Sequence, residues 1–110
     1  MVNDAELSAD RLLDALKALA NPVRLQIMEW LRDPDGEFSD YEPIADRDKV
    51  GACVSHIHAK SGLAQSTVSS YMATLERAGL VRSTRVGKWT HYQRNEALMR
   101  QIGEALAGDH

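Results

Sequence analysis

One cysteine, Cys53, and four histidines, His56, His58, His91 and His110, are the side chains of this sequence best suited to nucleophilic, redox or ligand chemistry. Only Cys53 and His56 stand at a telling spacing. They open and close Cys53-Val54-Ser55-His56, where an ordinary capping box would place Ser or Thr and then Glu at a helix start. A helix N-terminus and a nearby imidazole both favour a thiolate, which makes Cys53 and His56 a regulatory candidate. Three uses stay open: a reactive thiol, a metal contact, or an inert buried cysteine beside a solvated histidine. Zinc wants four ligands in a structural site and no second pair stands at metal spacing, so neither a metal nor another cofactor is expected. His58 lies five residues beyond Cys53, on another side of a regular helix. No nucleophile motif, phosphate-binding glycine pattern or metalloprotease helix is present, so an enzyme is not expected.

A second kind of chemistry is carried by charge. The formal net charge of −3 argues, taken alone, against a polyanion as partner. Its distribution reverses that. Residues 1–59 hold 6 basic and 12 acidic side chains, whereas residues 60–100 hold 7 basic and 2 acidic ones. A basic stretch in an acidic chain is a local footprint for phosphate.

The elements that must position these groups follow from apolar period and punctuation. A first helix starts near Ser8, a good N-cap, with Leu12, Leu13, Leu16 and Leu19 on one stripe. Asn21-Pro22 opens a second, whose apolar face is Val23, Ile27, Met28 and Leu31, and Asp33-Pro34-Asp35-Gly36 ends it as a turn. Residues 37–49 show no period and read as a loop, either functional or a tolerated surface insertion. A short apolar piece ends at Val54, and a short helix with Ile57 follows. Ser61-Gly62-Leu63-Ala64 then turns the chain into a helix from about Gln65 to Ala78. Val68, Met72 and Leu75 face inward there, while Gln65, Ser66, Ser69, Ser70 and Ala73 lie opposite. Gly79 stops that helix. Two strands, Leu80 to Arg85 and Lys88 to Arg94, form a hairpin joined around Val86-Gly87, with Arg85 and Lys88 at its tip. A last helix from about Asn95 puts Leu98, Ile102, Ala105 and Leu106 on a face that nothing in so short a chain obviously needs.

The fold class is therefore mainly α with a small β-hairpin wing, a winged helix-turn-helix spanning residues 1–110 as one domain. A polar helix face suits base edges and a basic wing suits phosphate, which points to double-stranded DNA. The run from Gly51 to Asn95, with Leu63, Gln65-Ser66, Val68-Ser69, Leu75, Ala78-Gly79-Leu80-Val81 and Gly87 in register, resembles the ArsR/SmtB family of winged-helix repressors. The segment Ala18 to Leu31 is similar to that family's second helix. The likeness covers most of the chain except residues 34–49. It implies a homodimer through the first and last helices (Leu12, Leu16, Leu98, Ile102, Ala105 and Leu106), operator binding without inducer, and release on sensing one, whose identity the residues leave open. Carried over residue by residue, Gln65, Ser66, Thr67, Ser69 and Ser70 read DNA and Arg85 and Lys88 belong to the wing.

Three departures bear on this. Ala64 stands where the family often has a capping Ser or Thr, weakening the helix start by about 1 kcal/mol unless Ser61 or a phosphate compensates. The family's metalloid sensors carry Cys-Val-Cys-Asp where this chain has Cys53-Val54-Ser55-His56. Residues 95–107 hold no histidine, so the second familiar metal site is incomplete as well.

Length allows one domain with a modest core, for which a partner copy is a natural source of stability. The start of the sequence has neither the basic nor the apolar region of a signal peptide, no stretch is long enough to span a membrane, and a single cysteine fits a reducing compartment. A cytoplasmic homodimer on an imperfectly palindromic operator is the expectation. The alternative is a winged-helix protein-interaction module that has abandoned DNA, against which stands the absence of acids from residues 65–74.

Overall fold

The computed structural model describes residues 7–108. Helix α1 (Ala9–Leu19) is capped by Ser8, whose hydroxyl accepts from the Arg11 amide. Helix α2 (Pro22–Arg32) is capped by Asn21, which accepts from the amides of Val23 and Arg24 at 2.9 and 3.0 Å. Both starts fall where the caps predict. Ala15 and Ala18 of α1 and Ile27, Met28 and Leu31 of α2 are buried.

The next stretch differs from the expected loop. Asp33 caps a short helix, α3 (Pro34–Glu37), in place of a plain turn, and Asp46 caps another, α4 (Arg47–Val50). Between them Phe38 is 0% exposed and packs edge-on against Trp30, with ring centres 6.1 Å apart. Arg47 is buried as well, its side chain 4% exposed. It donates to the Tyr41 carbonyl at 2.8 Å and lies 3.9 Å from the Asp35 carboxylate. Phe38, Tyr41 and Arg47 thus anchor residues 33–50 to the rest of the fold, while most of the segment's other side chains are exposed. The apolar contacts of residues 33–50 come from single aromatic residues, which leave no period in the sequence.

Strand β1 (Ala52–Cys53), unforeseen in the sequence, leads directly into helix α5 (Val54–Ser61), and α6 (Gln65–Arg77) follows. Strands β2 (Val81–Val86) and β3 (Trp89–Arg94) form the wing, and α7 (Glu96–Ala107), capped by Asn95, closes the order. The sheet is antiparallel in the order β1-β3-β2. Gly87 opens the two-residue turn with φ +60, a conformation that costs glycine nothing. Gly51 has φ +82, and a Cβ there would lie 1.9 Å from the Tyr92 carbonyl oxygen, so only glycine lets β1 close on β3.

Register sorts the sheet into two faces. The row Ala52, Tyr92, Ser83 lies on the side of the apolar core, to which Ala52 and Tyr92 belong. The neighbouring row Cys53, His91, Thr84 therefore points the other way, yet Cys53 and His91 are also buried.

The sequence left the face of α7 without an intramolecular use; the structure corrects this. Leu98 and Ile102 are buried in the chain's own core, because α7 folds back from β3 with Asn95 donating to the Gly79 carbonyl at 3.0 Å. An amphipathic stripe says that a face will be covered and not by which chain.

Because Phe38 is fully enclosed, Phe38→Ala should destabilise the fold by about 3–5 kcal/mol through lost burial and a residual cavity. Urea unfolding followed by circular dichroism measures this. A loss below about 1 kcal/mol, the range of an exposed site, would mean that Phe38 does not anchor residues 33–50.

Candidate nucleic-acid interface

Helices α5 and α6 with the turn between them form the helix-turn-helix. Gly62 ends α5 in the left-handed conformation, φ +70, and Ser61 ties the turn by donating to the His58 carbonyl and accepting from the Leu63 amide. Ser61 therefore does not reach the start of α6 and does not replace the missing cap. Ala64 offers none, so the first amides of α6 point outward without a side-chain acceptor. Such an end favours an anion.

Along α6, Val68, Met72 and Leu75 are buried. This fixes the helix's rotation and turns Gln65, Ser66, Ser69 and Ser70 to the exposed side, with Thr67 half-buried at its edge. The wing is fastened to the same helix, since Ser83 of β2 donates to the Glu76 carboxylate of α6 at 2.7 Å. At its tip Arg85 is exposed and donates to the Gly87 carbonyl, while Lys88 lies 5.2 Å from the Trp89 ring centre. Arg82, also exposed, is a wing cation that the sequence reading passed over. It stands at a position of opposite parity to Arg85, so the two point to opposite faces of the hairpin.

Arg24, likewise passed over, sits where three helices meet. It donates to the Ala18 carbonyl at 2.6 Å and to the Lys17 carbonyl at 3.4 Å, and its guanidinium lies 5.4 Å from the Tyr71 ring centre. A cation on the carboxyl end of α1 is favoured by the helix dipole, and its flat face suits the aromatic ring of α6. The orientation of α6 is thereby tied to α1. An arginine just inside an Asn-Pro helix start was the visible signal, but its partners lie on two other helices.

Cys53 occupies the N-cap of α5 and is 2% exposed. Its sulfur makes no cap bond and lies 3.1 Å from the Ser55 hydroxyl. His56, at the third helical position, stacks on Tyr41 with ring centres 5.1 Å apart and planes 19° from parallel. Burial above all, then Arg47 and His91, pushes the His56 pKa below its ordinary value. His91, which the sequence left isolated, stands opposite Cys53 in register and is 1% exposed. Neither of its ring nitrogens has a hydrogen-bond partner, nor has His56 Nδ1. His58 is half-buried on the turn side of α5, and His110 lies outside the described residues. Among the described residues no group of three or more His, Cys, Asp or Glu is placed to hold a metal ion.

Known proteins share this architecture. The chain is 43% identical over 94 residues to the HTH-type transcriptional regulator YbzH of Bacillus subtilis, itself uncharacterized, covering 86% of this chain and 93% of that one. The chain belongs to the helix-turn-helix transcriptional regulators. Such regulators are not enzymes. A family model described as the IclR helix-turn-helix domain matches residues 45–85 of the regulator, from just before α4 to the end of the Arg85 side of the wing. The biofilm growth-associated repressor of Xylella fastidiosa is 30% identical over 103 residues, 94% of this chain and 76% of that protein. Among solved structures, the homodimeric winged helix-turn-helix DNA-binding domain of Mb0332 from Mycobacterium bovis, described as a possible ArsR-family regulator, superposes with a TM-score of 0.61 at 25% identity. The match covers 89% of this chain and 77% of that one. The winged helix-turn-helix fold is thus established. Among the described residues of the regulator, no helix is long and apolar enough to cross a membrane.

Proposed function

We propose that the regulator is an ArsR-type repressor, a cytoplasmic homodimer that holds an operator in duplex DNA and leaves it when an inducer is sensed. The division of α6 carries this reading: an apolar side locked in the core and an acid-free side of Gln65, Ser66, Ser69 and Ser70 open to base edges. The repressor from Xylella and the homodimeric Mb0332 domain support the sign of regulation and the assembly.

In a two-fold dimer each α6 enters a major groove, with half-sites about one helical turn apart, so the operator is an imperfect palindrome. The dimer contact uses the outer faces of α1 and α7. Leu13 is 50% exposed and Leu106 62%, with Ala105 exposed beside it and Leu12 and Leu16 half-buried at the margin. Leu98 and Ile102 support that face from beneath. The inducer acts at the Cys53 end of α5, where oxidation by peroxide would convert the thiol to sulfenic acid with loss of water. A thiol so enclosed admits only a small oxidant.

Three measurements test these parts. In gel shifts with the DNA upstream of the regulator's own coding sequence, Gln65→Ala and Ser69→Ala should weaken operator binding by about 1–3 kcal/mol and spare unrelated duplex. Arg85→Ala and Lys88→Ala should weaken all duplexes alike and flatten the salt dependence by about one unit per charge. Unchanged protection in all four would remove the DNA face, and no retention of any duplex would leave a protein-interaction module. Leu13→Glu and Leu106→Glu should give monomers by light scattering with loss of operator affinity, and a native chain that is monomeric at micromolar concentration contradicts the dimer. Hydrogen peroxide should release DNA from the native chain and not from Cys53→Ser; release from both sinks the thiol.

A further inference from the structure

We propose that the regulator carries a ligand site at the far end of α5 from Cys53: the groove between α2 and the turn into α6 binds a small aromatic carboxylate. Trp30, Val23 and Leu63 hold its ring, and Lys60 holds its carboxylate. Binding there does not rest on the repressor reading.

The groove has a volume of about 290 Å³ and is lined by Val23, Gln26 and Trp30 of α2, Lys60 at the end of α5 and Leu63 of the turn, among others. That is close to the lower bound of about 300 Å³ for small-molecule sites, whose walls are mostly apolar with a few placed polar groups. Two of its walls are set before a ligand arrives. Trp30 is held edge-on by the fully buried Phe38, with ring centres 6.1 Å apart and planes at 84°. Lys60 lies over both rings, its ammonium 5.2 Å from the centre of Trp30 and 5.9 Å from that of Phe38. Groups held in place this way lose little freedom on binding.

The charge that the groove calls for is negative. Lys60 is half-buried, and among the described residues it has neither a carboxylate at ion-pair distance nor a hydrogen-bond acceptor. The other cations that lie on rings differ, since Arg24 has the Ala18 carbonyl and Lys88 stands exposed on the wing. Lys60 Nζ is also not enclosed in the way that the unpartnered Nε of Arg47 is, so an incoming oxygen can reach it. One ammonium beside the neutral Gln26 amide matches a monoanion; a phosphate ester carries more charge than a single cation balances. Ser61 adds no donor, because its one hydroxyl proton goes to the His58 carbonyl. The rest of the lining, Val23, Leu63 and the Trp30 ring, suits an aromatic body, which packs against another ring at centre separations of about 4.5–7 Å.

The test is a titration of the full chain carrying Trp89→Phe, which leaves Trp30 as the only tryptophan, followed by its fluorescence and by the NMR signal of its indole N–H. The probes are sodium benzoate and phenylacetate; acetate supplies the charge without the ring, and benzamide the ring without the charge. Both aromatic carboxylates should bind saturably in the millimolar range expected of fragments this small, and acetate and benzamide about tenfold more weakly. Lys60→Met keeps a stem over the rings and removes the charge, so it should bring the aromatic carboxylates down to the level of benzamide. Gln26→Phe, from an exposed wall position, fills the groove and should abolish binding, while Lys49→Met on α4 should bind as the native chain does. Equal binding of benzoate and benzamide, no saturable binding of either carboxylate, or binding that survives Gln26→Phe overturns the proposal. Should Lys60→Met fail to fold, the comparison of benzoate with benzamide and the Gln26→Phe variant decide. If neither carboxylate binds and Lys60→Met flattens the salt dependence of duplex binding, Lys60 is a phosphate contact and the proposal falls. Failure to bind any DNA would count against the repressor reading, and the Trp30 titration would still decide the ligand site.

Discussion

Everything on the exposed polar side of α6 depends on one constraint, the burial of Val68, Met72 and Leu75 along the opposite side. Three enclosed side chains, each worth roughly 1.5–3 kcal/mol of burial, fix the helix's rotation about its own axis. The serines and Gln65 are exposed because of where their neighbours are held. The remaining contacts set the helix's position rather than its rotation. Arg24 ties its middle to the end of α1, Glu76 ties its last turn to β2, and the Gly79 carbonyl is held by Asn95 at the start of α7. Helices at both ends of the chain thus converge on the element between them, so a displacement of either one is felt at α6.

The second layer of organisation is polar. Arg94 forms two 2.7 Å bonds to Glu96, whose pKa is lowered chiefly by that hydrogen bonding, and reaches the Met28 carbonyl at 3.5 Å. Arg47 does comparable work for residues 38–50 through the Tyr41 carbonyl. The difference lies in their carboxylates: Glu96 is 2.7 Å from Arg94, whereas Asp35 is 3.9 Å from Arg47.

Local chemistry was readable in the sequence and distant pairing was not. Ser8, Asn21 and Asn95 act within three residues of themselves, and Gly79 and Gly87 answer a local need for positive φ, so the ends of α1, α2, α6 and α7 and the wing turn were legible. Strand β1 has two residues and exists only because β3, about forty positions later, accepts it. Phe38 and Arg47 lie among acids in a stretch without period, and their burial depends on Trp30, Tyr41 and Asp35. His91 reads as an isolated strand residue until register sets it opposite Cys53. The exposed polar side of α6 was legible because it is the complement of a periodic core. The place of His91 opposite Cys53 was not, because it depends on β1 pairing with β3.

Charge is sorted as sharply as apolar surface. Asp33, Asp35, Glu37, Asp40, Glu42, Asp46 and Asp48 are all exposed on the segment after α2, while Arg77, Arg82, Arg85 and Lys88 are exposed on and after α6. A chain of net charge −3 thus keeps its exposed acids on one segment and a set of exposed cations on another. Crowding among the acids has its own titration. Asp35 first and Asp46 second hold the Asp48 carboxyl above its ordinary range, so the folded segment binds that proton more readily than the unfolded chain does. Acidification near the carboxylate range then relieves repulsion and favours the segment, opposite in sign to the effect of charging His56, whose pKa the fold lowers. The two act in different windows, His56 from pH 6.5 downward and Asp48 from somewhat above 3.8. The Asp48 effect stays within the segment, because Asp35 and Asp46 belong to it as well.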